Sequence, residues 1–260
     1  MLSKDGEGKI RTPTEEAFMN RKYQEEAGKS LNCEVCPLVH DSEWRVLSTE
    51  ERNDLDQVKR AMNFAKGGVI FHQGDACQGL YCIQAGTVAL RKTDDQGNSV
   101  VLSLIHAGET LGIRSYFAGS DYKASAEALT PVCVCFIPST HLDKLLKENA
   151  ELDLLFLRHL STTLGEANET ILANTSLSVR KRLVHLLFNL QEHYSVPGSN
   201  GDMIIELPMT RHDMAELLAT RPETVARTIT ALTGQGAVSF SGRRATIHDE
   251  AALRRELVED

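Results

Sequence analysis

Apolar positions follow two different patterns along the chain. From Phe64 to Ile137, short apolar runs alternate with glycine-containing turns, which favours β-strands in a small antiparallel barrel or roll. Over residues 139–175, apolar positions recur with a period near 3.5 residues, which predicts one long helix. Shorter amphipathic helices are predicted over 44–62 and 179–194. The pattern therefore predicts a β-rich unit followed by a helical connection.

Residues 210–234 predict two short helices joined by a tight turn. The first helix is expected to start at Thr210, because Asp213 follows in a capping-box arrangement. The second is expected to start at Thr220, with Glu223 in the same relation. Two short helices in this order are typical of a helix-turn-helix.

The second helix of this pair has an inward and an outward face. Val225, Ile229 and Leu232 share the inward face, and Pro222 suits the first turn, where no amide hydrogen is needed. In a helix-turn-helix the outward N-terminal end enters the major groove, where Glu accepts from cytosine and Arg binds guanine. DNA contacts are therefore expected from Thr210, Arg211, Arg221, Glu223, Thr224, Ala226 and Arg227.

The order of these elements gives the predicted organisation. A strand at 203–208 and a hairpin at 237–249 flank the two helices and predict a β wing. We predict an α+β protein with a flexible polar tail (1–32), a cysteine-containing β-roll (33–138), a long dimerisation helix (139–176) and a winged helix-turn-helix domain (177–260). The long helix extends past what one domain covers, so we expect it to pair with its copy in a homodimer.

Charge and hydropathy limit the classes of protein to which this chain can belong. The formal net charge of −8 argues against a general nucleic-acid coat. Arginines are concentrated between Ser176 and Leu257, and a locally basic face on an acidic protein suits site-specific DNA binding, which needs few, well-placed contacts. No apolar run approaches the ~20 residues of a membrane span. The N-terminus lacks the apolar core of a secretory signal, so the sequence predicts a cytoplasmic protein without membrane contact.

Six cysteines occur in the pairs Cys33/Cys36, Cys77/Cys82 and Cys133/Cys135. In a cytoplasmic chain they are expected to be thiols or metal ligands rather than disulfides. A thiol oxidoreductase using Cys33 and Cys36 is a distant alternative, because Pro37 follows at once and no βαβ pattern surrounds the pair. The chain is not expected to be an enzyme. Surface or turn positions are expected for His72, His106, His141 and His159.

Roll, long helix and winged helix-turn-helix, in this order, resemble the CRP/FNR family of bacterial transcription regulators. The motifs that carry the resemblance are FHQGDACQGLYCIQAGTVAL, HAGETLG, MTRHDMAELLATRPETVARTI and SGRRATIHD. The resemblance implies a cupin-like jelly roll as sensor, a homodimer, RNA polymerase as a partner in activation, and a palindromic operator. It also implies that Glu223 and Arg227 contact a GA core in each half-site, while Ala226 leaves the outer base open.

The resemblance also bears on the signal that the roll senses. Cyclic-nucleotide members of the family hold the phosphate with an arginine, and this position is Tyr122 here. A buried phosphate favours a guanidinium, so we expect no cAMP binding and a plain turn at Gly108 and Glu109.

The FNR branch binds an oxygen-labile iron–sulfur cluster, a [4Fe-4S] cluster, through Cys-x2-Cys-x5-Cys and one distant cysteine. Cys33, Cys36 and Cys135 match three of these positions, and the remaining position is Ser42. Three answers stay open. The fourth ligand is His40, Asp41 or Ser42; or it is Cys133 or comes from the Cys77/Cys82 pair; or there is no cluster, and the thiols act as a redox or sulfur-reactive switch.

Overall fold

The computed structural model describes residues 32–198 and 202–258. The predicted polar tail therefore lies almost wholly outside the described residues. The chain forms two compact units that divide between Glu166 and Ala167. In the described part of the chain, no helix is both long and apolar enough to cross a bilayer.

The first unit is built on a roll of two four-stranded antiparallel sheets, as predicted. One sheet has the order β1-β8-β3-β6 and the other β2-β7-β4-β5. Tyr81, Ile83 and Val134 pack with residues of the second sheet in the core between the sheets. The strands are β1 Arg60–Phe64, β2 Val69–Phe71, β3 Gly79–Ala85, β4 Val88–Thr93, β5 Ser99–Ile105, β6 Thr110–Leu111, β7 Ser125–Ala128 and β8 Val132–Pro138.

The segment before the roll differs from the single helix predicted over 44–62, and that prediction is wrong. Two 3₁₀ turns, Pro37–Val39 and Glu43–Val46, precede helix α1, Thr49–Val58. The Ser48 side chain caps α1 in a capping box with Glu51, so the helix begins later than predicted. The helix also ends earlier, because residues 60–64 pair with β8 as strand β1.

The helical stretch predicted over 139–175 is two helices, because the chain leaves helical geometry at Asn149. Helix α2, Ile113–Phe117, lies within the roll; α3, Ser139–Glu148, and α4, Ala150–Ser176, follow it. The Asn149 side chain accepts from Leu152 N at 3.0 Å and donates to Glu51 Oε1 at 3.0 Å. Asn149 therefore caps α4 and ties its start to α1.

Helix α4 is buried only near its start. Leu152, Leu155 and Phe156 are buried, whereas every residue from 161 to 170 is exposed. Large apolar side chains on the exposed part include Leu157, Leu164 and Ile171, which are 59%, 64% and 63% exposed. These three positions recur every seven residues, which is the spacing of a coiled-coil seam.

The second unit contains the predicted winged arrangement. Its antiparallel sheet has the order β11-β12-β10-β9. Val184, Leu187 and Val225 are among its fully buried residues. The elements are helix α5 Val179–Tyr194, β9 Ser195–Pro197, β10 Met203–Glu206, α6 Arg211–Leu217, α7 Pro222–Gly234, β11 Val238–Ser241, β12 Arg244–Ile247 and α8 Glu250–Val258.

The two helices of the predicted reader begin in different ways. Thr210 caps α6 in a capping box with Asp213, which confirms that prediction. The prediction that the second helix starts at Thr220 is wrong. Arg221 is the N-cap residue of α7, with extended backbone and no side-chain cap, and Pro222 opens the helix. The turn before it passes through Ala219 at φ 46°, a left-handed conformation that costs a non-glycine residue about 1 kcal/mol.

Candidate functional site

Helix α7 presents a polar end to solvent. Its inward residues Val225, Ile229 and Leu232 are buried against the second unit, as predicted. Because these positions fix the rotation of the helix, four of the predicted DNA contacts are left exposed at its N-terminal end: Arg221, Glu223, Ala226 and Arg227. The exposed set carries both the acceptor and the donor needed to read base edges.

The other predicted DNA contacts also make interactions within the second unit, although Thr210 is exposed. The Thr210 hydroxyl donates to Asp213 Oδ2 at 2.7 Å and accepts from Asp213 N, so it serves the start of α6. Thr224 is half-buried. The Arg211 guanidinium lies 4.7 Å from the centroid of the Phe240 ring, and burial lowers its pKa. Arg211 thus packs on the wing, and the exposed reader is the α7 set.

The wing carries two arginines that the sequence analysis did not assign to the DNA site. Arg243 and Arg244 are exposed at the tip of the β11–β12 hairpin, after Gly242. Arg244 pairs with Glu206 at 3.1 Å, and Arg243 donates to the carbonyl of Pro208. The Gly-Arg-Arg sequence at the hairpin tip could have identified these two residues as DNA contacts, because exposed arginines there suit contacts to phosphates.

The roll contains a small apolar cavity, of about 40 Å³, lined by four of the six cysteines. Cys82 on β3 is the register partner of Cys135 on β8, so both side chains lie on one face of the sheet. Cys33 and Cys36 reach the same cavity from the segment before α1. The topology therefore gathers thiols from three separate parts of the chain.

The Cys33 loop is held in place by α1. Cys33 N donates to both carboxylate oxygens of Asp56 at 3.0 Å. The ammonium of Lys59, which also pairs with Asp56, lies 3.2 Å from Cys33 Sγ. Burial raises the pKa of Cys33 to about 11 against the opposing effect of Lys59, and burial raises that of Cys135 to about 12.

The other candidate ligands lie in different surroundings. His40 and Asp41 are exposed and do not line the cavity. Ser42 does line it, but its hydroxyl donates to Val39 O at 2.9 Å. Cys133 faces Gln84, with its thiol 3.2 Å from Gln84 Oε1, and it does not line the cavity.

The four cavity thiols are of the donor type that iron–sulfur clusters require. Their chemistry fits, because thiolates are the protein ligands of such clusters and the remaining lining is mostly apolar. Within residues 32–198 and 202–258, no three His, Cys, Asp or Glu side chains stand in a metal-holding arrangement. The described cysteines are free thiols. The types of donor around the cavity therefore fit a cluster, whereas the positions of the described side chains do not form a metal-holding group.

Tyr122, which the resemblance places where a phosphate-binding arginine is expected, is part of an aromatic core. Its side chain is 3% exposed and stacks on Phe71 with ring centroids 3.9 Å apart. Its hydroxyl donates to Gly79 O at 2.8 Å. Glu109 accepts from His106 N at 2.6 Å and closes the turn at Gly108, whose φ is 94°. The region is an aromatic core beside a tight turn.

The cysteine cavity is connected to α4 by aromatic and polar contacts. Trp44 lines the cavity and packs edge-on against Phe156 of α4, with centroids 5.5 Å apart. Thr110 Oγ1 accepts from Trp44 Nε1 at 3.1 Å and donates to Glu43 at 3.2 Å. The expectation that His159 is a simple surface residue is wrong, because it is partly buried and contacts Glu43 at 2.8 Å.

Replacing Glu43 with glutamine is expected to destabilise the first unit most in mildly acidic solution. The hydrogen bond to Glu43 raises the pKa of His159, with Glu109 and Glu166 also facing it. The same bond, working against burial, lowers the pKa of Glu43. The His159 contribution is complete below its unfolded value of 6.5 and is lost as pH rises through its folded pKa. The Glu43 contribution is present above 4.5 and is lost on acidification.

Urea unfolding checks this prediction. We expect Glu43→Gln to lower the free energy of unfolding by about 2 kcal/mol near pH 5.5, and by less near pH 8.5. Glu50→Gln, at an exposed position of α1, is the matched control and should change little. Equal losses for Glu43→Gln at both pH values would contradict a charged pair.

Comparison with known protein families agrees with this architecture. Residues 61–149 match the cyclic nucleotide-binding domain, and residues 181–256 match the Crp-like helix-turn-helix domain. The Anaerobic regulatory protein of Pasteurella multocida is 28% identical over 90% of this chain and 85% of its own. The Fumarate and nitrate reduction regulatory protein of Vibrio cholerae is 28% identical over 89% of this chain and 92% of its own.

Solved structures show the same fold. FixK2 from Bradyrhizobium japonicum superposes with a TM-score of 0.68 at 22% identity, covering 76% of this chain and 96% of its own. A CRP/FNR-family regulator from Thermus thermophilus superposes with a TM-score of 0.63 at 25% identity, covering 77% and 99%. Roll, long helix and exposed reader together define a DNA-binding transcription regulator. The chain belongs to the CRP/FNR family.

Proposed function

We propose that the protein is a homodimeric regulator that binds a palindromic operator with a GA core in each half-site. The observation that carries this proposal is the exposed end of α7, where Glu223 and Arg227 face solvent while the opposite side of the helix is buried. Glu223 accepts from the cytosine N4 amine, and Arg227 forks onto guanine O6 and N7. Ala226 suits contact with a thymine methyl group, and Arg243 and Arg244 of the wing suit phosphates.

The exposed seam of α4 supports the homodimer. Leu157, Leu164 and Ile171 are solvent-exposed in a single chain. Exposure of these apolar side chains to water is unfavourable, and pairing with a second copy would bury them. A symmetric dimer presents two reading helices, and half-sites about 34 Å apart match them on one face of the duplex. RNA polymerase is the proposed partner once the dimer is on DNA, and the cytoplasm is the compartment in which it acts.

We propose that the signal is read at the cysteine cavity through an iron–sulfur cluster held by Cys33, Cys36 and Cys135. The cluster supplies sensitivity to oxygen and redox state when bound. The chain contributes an apolar cavity that limits water, and Lys59 contributes a positive charge beside Cys33 that favours thiolates. Tyr122 leaves no guanidinium for a phosphate, so we expect no response to cAMP.

The contacts around Trp44 provide the connection from the cavity to the dimer helix. Trp44 lines the cavity and packs on Phe156, and Glu43 joins Thr110 to His159. A change in the Cys33–Trp44 segment therefore acts on two residues of α4. The switch requires that the signal favour one of two arrangements of this helix pair over the other.

Purification without air tests the proposal. We expect a brown protein with about four iron and four acid-labile sulfide per chain. Mobility shift with a GA-core palindrome is expected to show binding that changes on exposure to air, in parallel with the loss of visible absorption. An iron-free protein that binds the same palindrome equally well with and without air would exclude the proposed cluster. The proposed role as a DNA-binding regulator would still hold.

A thiol switch without a cluster is the second candidate for the signal. The pairing of Cys82 with Cys135 in adjacent strands favours it, because both thiols belong to one face. A thiol oxidoreductase is disfavoured, because the relatives found are transcription regulators.

A further inference from the structure

Cys82 is the one cavity cysteine without a counterpart in the FNR-branch spacing. Its backbone position is directly opposite Cys135 in the β3–β8 pair. Side chains at directly opposite positions of an antiparallel pair lie on the same face, with Cβ atoms about 4.5–5.5 Å apart. Cys82 lines the same cavity as Cys33, Cys36 and Cys135. The fold thus supplies a fourth thiol at the site where the sequence motif has only three.

Ser42 stands where the FNR branch has its remaining cysteine, but it is a poor replacement. Its side chain is 6% exposed, and its hydroxyl donates to Val39 O at 2.9 Å within the 3₁₀ turns. An alcohol is a hard, weakly acidic ligand, whereas iron–sulfur clusters are held by soft thiolates. The Ser42 hydroxyl is therefore already hydrogen-bonded within the fold, and it is a poor ligand for an iron–sulfur cluster.

The other candidates for the fourth position are directed elsewhere. His40 and Asp41 are exposed and outside the cavity lining. The Cys133 thiol contacts Gln84, and the Cys77 thiol lies 3.7 Å from Gly79 O. Among the remaining thiols, Cys82 lines the cavity, and its sulfur lies 3.9 Å from Thr110 Oγ1.

We propose that Cys82 is the fourth thiolate ligand of the cluster and takes the place that Ser42 leaves. This assignment rests on the cluster proposed above for Cys33, Cys36 and Cys135. Each thiol releases its proton when its sulfur binds iron, so no oxidant or reductant enters the binding step. The ligand set then joins the N-terminal loop to two neighbouring strands of the roll.

Counting iron and sulfide in air-free variants tests the assignment without any measurement of DNA binding. We expect Cys82→Ser to lower the cluster content by about tenfold or more. Cys77→Ser and Cys133→Ser are matched controls on the same roll and should keep the content of the wild type, as should Ser42→Ala. Adding Ser42→Cys to Cys82→Ser restores the FNR-branch spacing and should recover the absorption.

Thiol labelling of the wild-type protein provides a second measurement that needs no variant. We expect alkylation of Cys82 to rise on removal of iron by a chelator, in step with Cys33, while Cys77 stays unchanged. The assignment of Cys82 would be wrong if the Cys82→Ser variant kept its full content of iron and sulfide. It would also be wrong if the alkylation of Cys82 did not depend on iron. Either result would leave the proposed cluster itself possible with another fourth ligand. An iron-free wild type would overturn the cluster itself, and this assignment with it.

Discussion

Replacing Glu223 or Arg227 with alanine is expected to abolish selective binding to a GA-core palindrome. Both side chains are exposed at the start of α7, and each bidentate or accepting contact to a base edge contributes about 1–3 kcal/mol of discrimination. A symmetric dimer makes every contact twice, so the loss per dimer is about 2–6 kcal/mol, or roughly 30-fold and upwards in affinity. Mobility shift against the palindrome and a random duplex measures it.

Arg254→Ala is the matched control for the loss of an exposed arginine. Arg254 lies on α8, pairs with Glu250 at 2.7 Å and covers the Phe188 ring. We expect its replacement to leave the preference for the palindrome unchanged. Arg227→Ala should also weaken binding to random duplex slightly, whereas Glu223→Ala should not, because it removes a negative charge. Equal losses of preference in all three variants would exclude direct reading by α7.

Replacing Leu164 with glutamate is expected to convert the dimer into monomers. Leu164 is 64% exposed in a single chain and lies at the middle of the seven-residue seam of α4. In a dimer the same position places two like charges in an apolar seam, which costs at least about 3 kcal/mol. The dissociation constant of the dimer should therefore rise by a factor of about 100 or more. Light scattering during gel filtration checks the mass across a dilution series.

Thr162→Glu provides the control, because it adds the same charge to an exposed position two residues away and off the seam. We expect Thr162→Glu to stay dimeric and to bind the palindrome as the wild type does. Leu164→Glu should lose operator binding together with its dimer, since a lone reading helix contacts only one half-site. A dimeric Leu164→Glu protein would place the interface elsewhere.

The order of the helices and strands was predictable from local sequence patterns. The residues at which they begin and end were less predictable. The Thr210 cap was found because its partner Asp213 is three residues away and both belong to one turn. The second cap was misplaced because Thr220 and Glu223 repeat the same spacing, while the backbone becomes helical only at Pro222. The break at Asn149 escaped the pattern, since its partner Glu51 is distant in sequence.

The cysteine site shows the same limit more strongly. Cys33 and Cys36 are neighbours in sequence and were assigned from spacing, as was Cys135 from the resemblance. The proximity of Cys82 to Cys135 depends on the register between strands β3 and β8. This register shifts between Ile83 and Ala85. A shift of one residue in such a pair moves every side chain to the other face. No local pattern contains that register, so the choice between Cys82 and Cys133 required the fold.

The cap at Asn149 fixes the start of α4 against α1, and α1 lines the cysteine cavity through Arg52 and Leu55. At 1.5 Å per residue, the 27 residues of α4 span about 40 Å. A tilt of about 5° at its start moves the far end by about 3.5 Å, which is close to the rise of one base pair. In the proposed dimer, an ångström-scale adjustment around Trp44 would be enough to change the match between the two reading helices and the duplex.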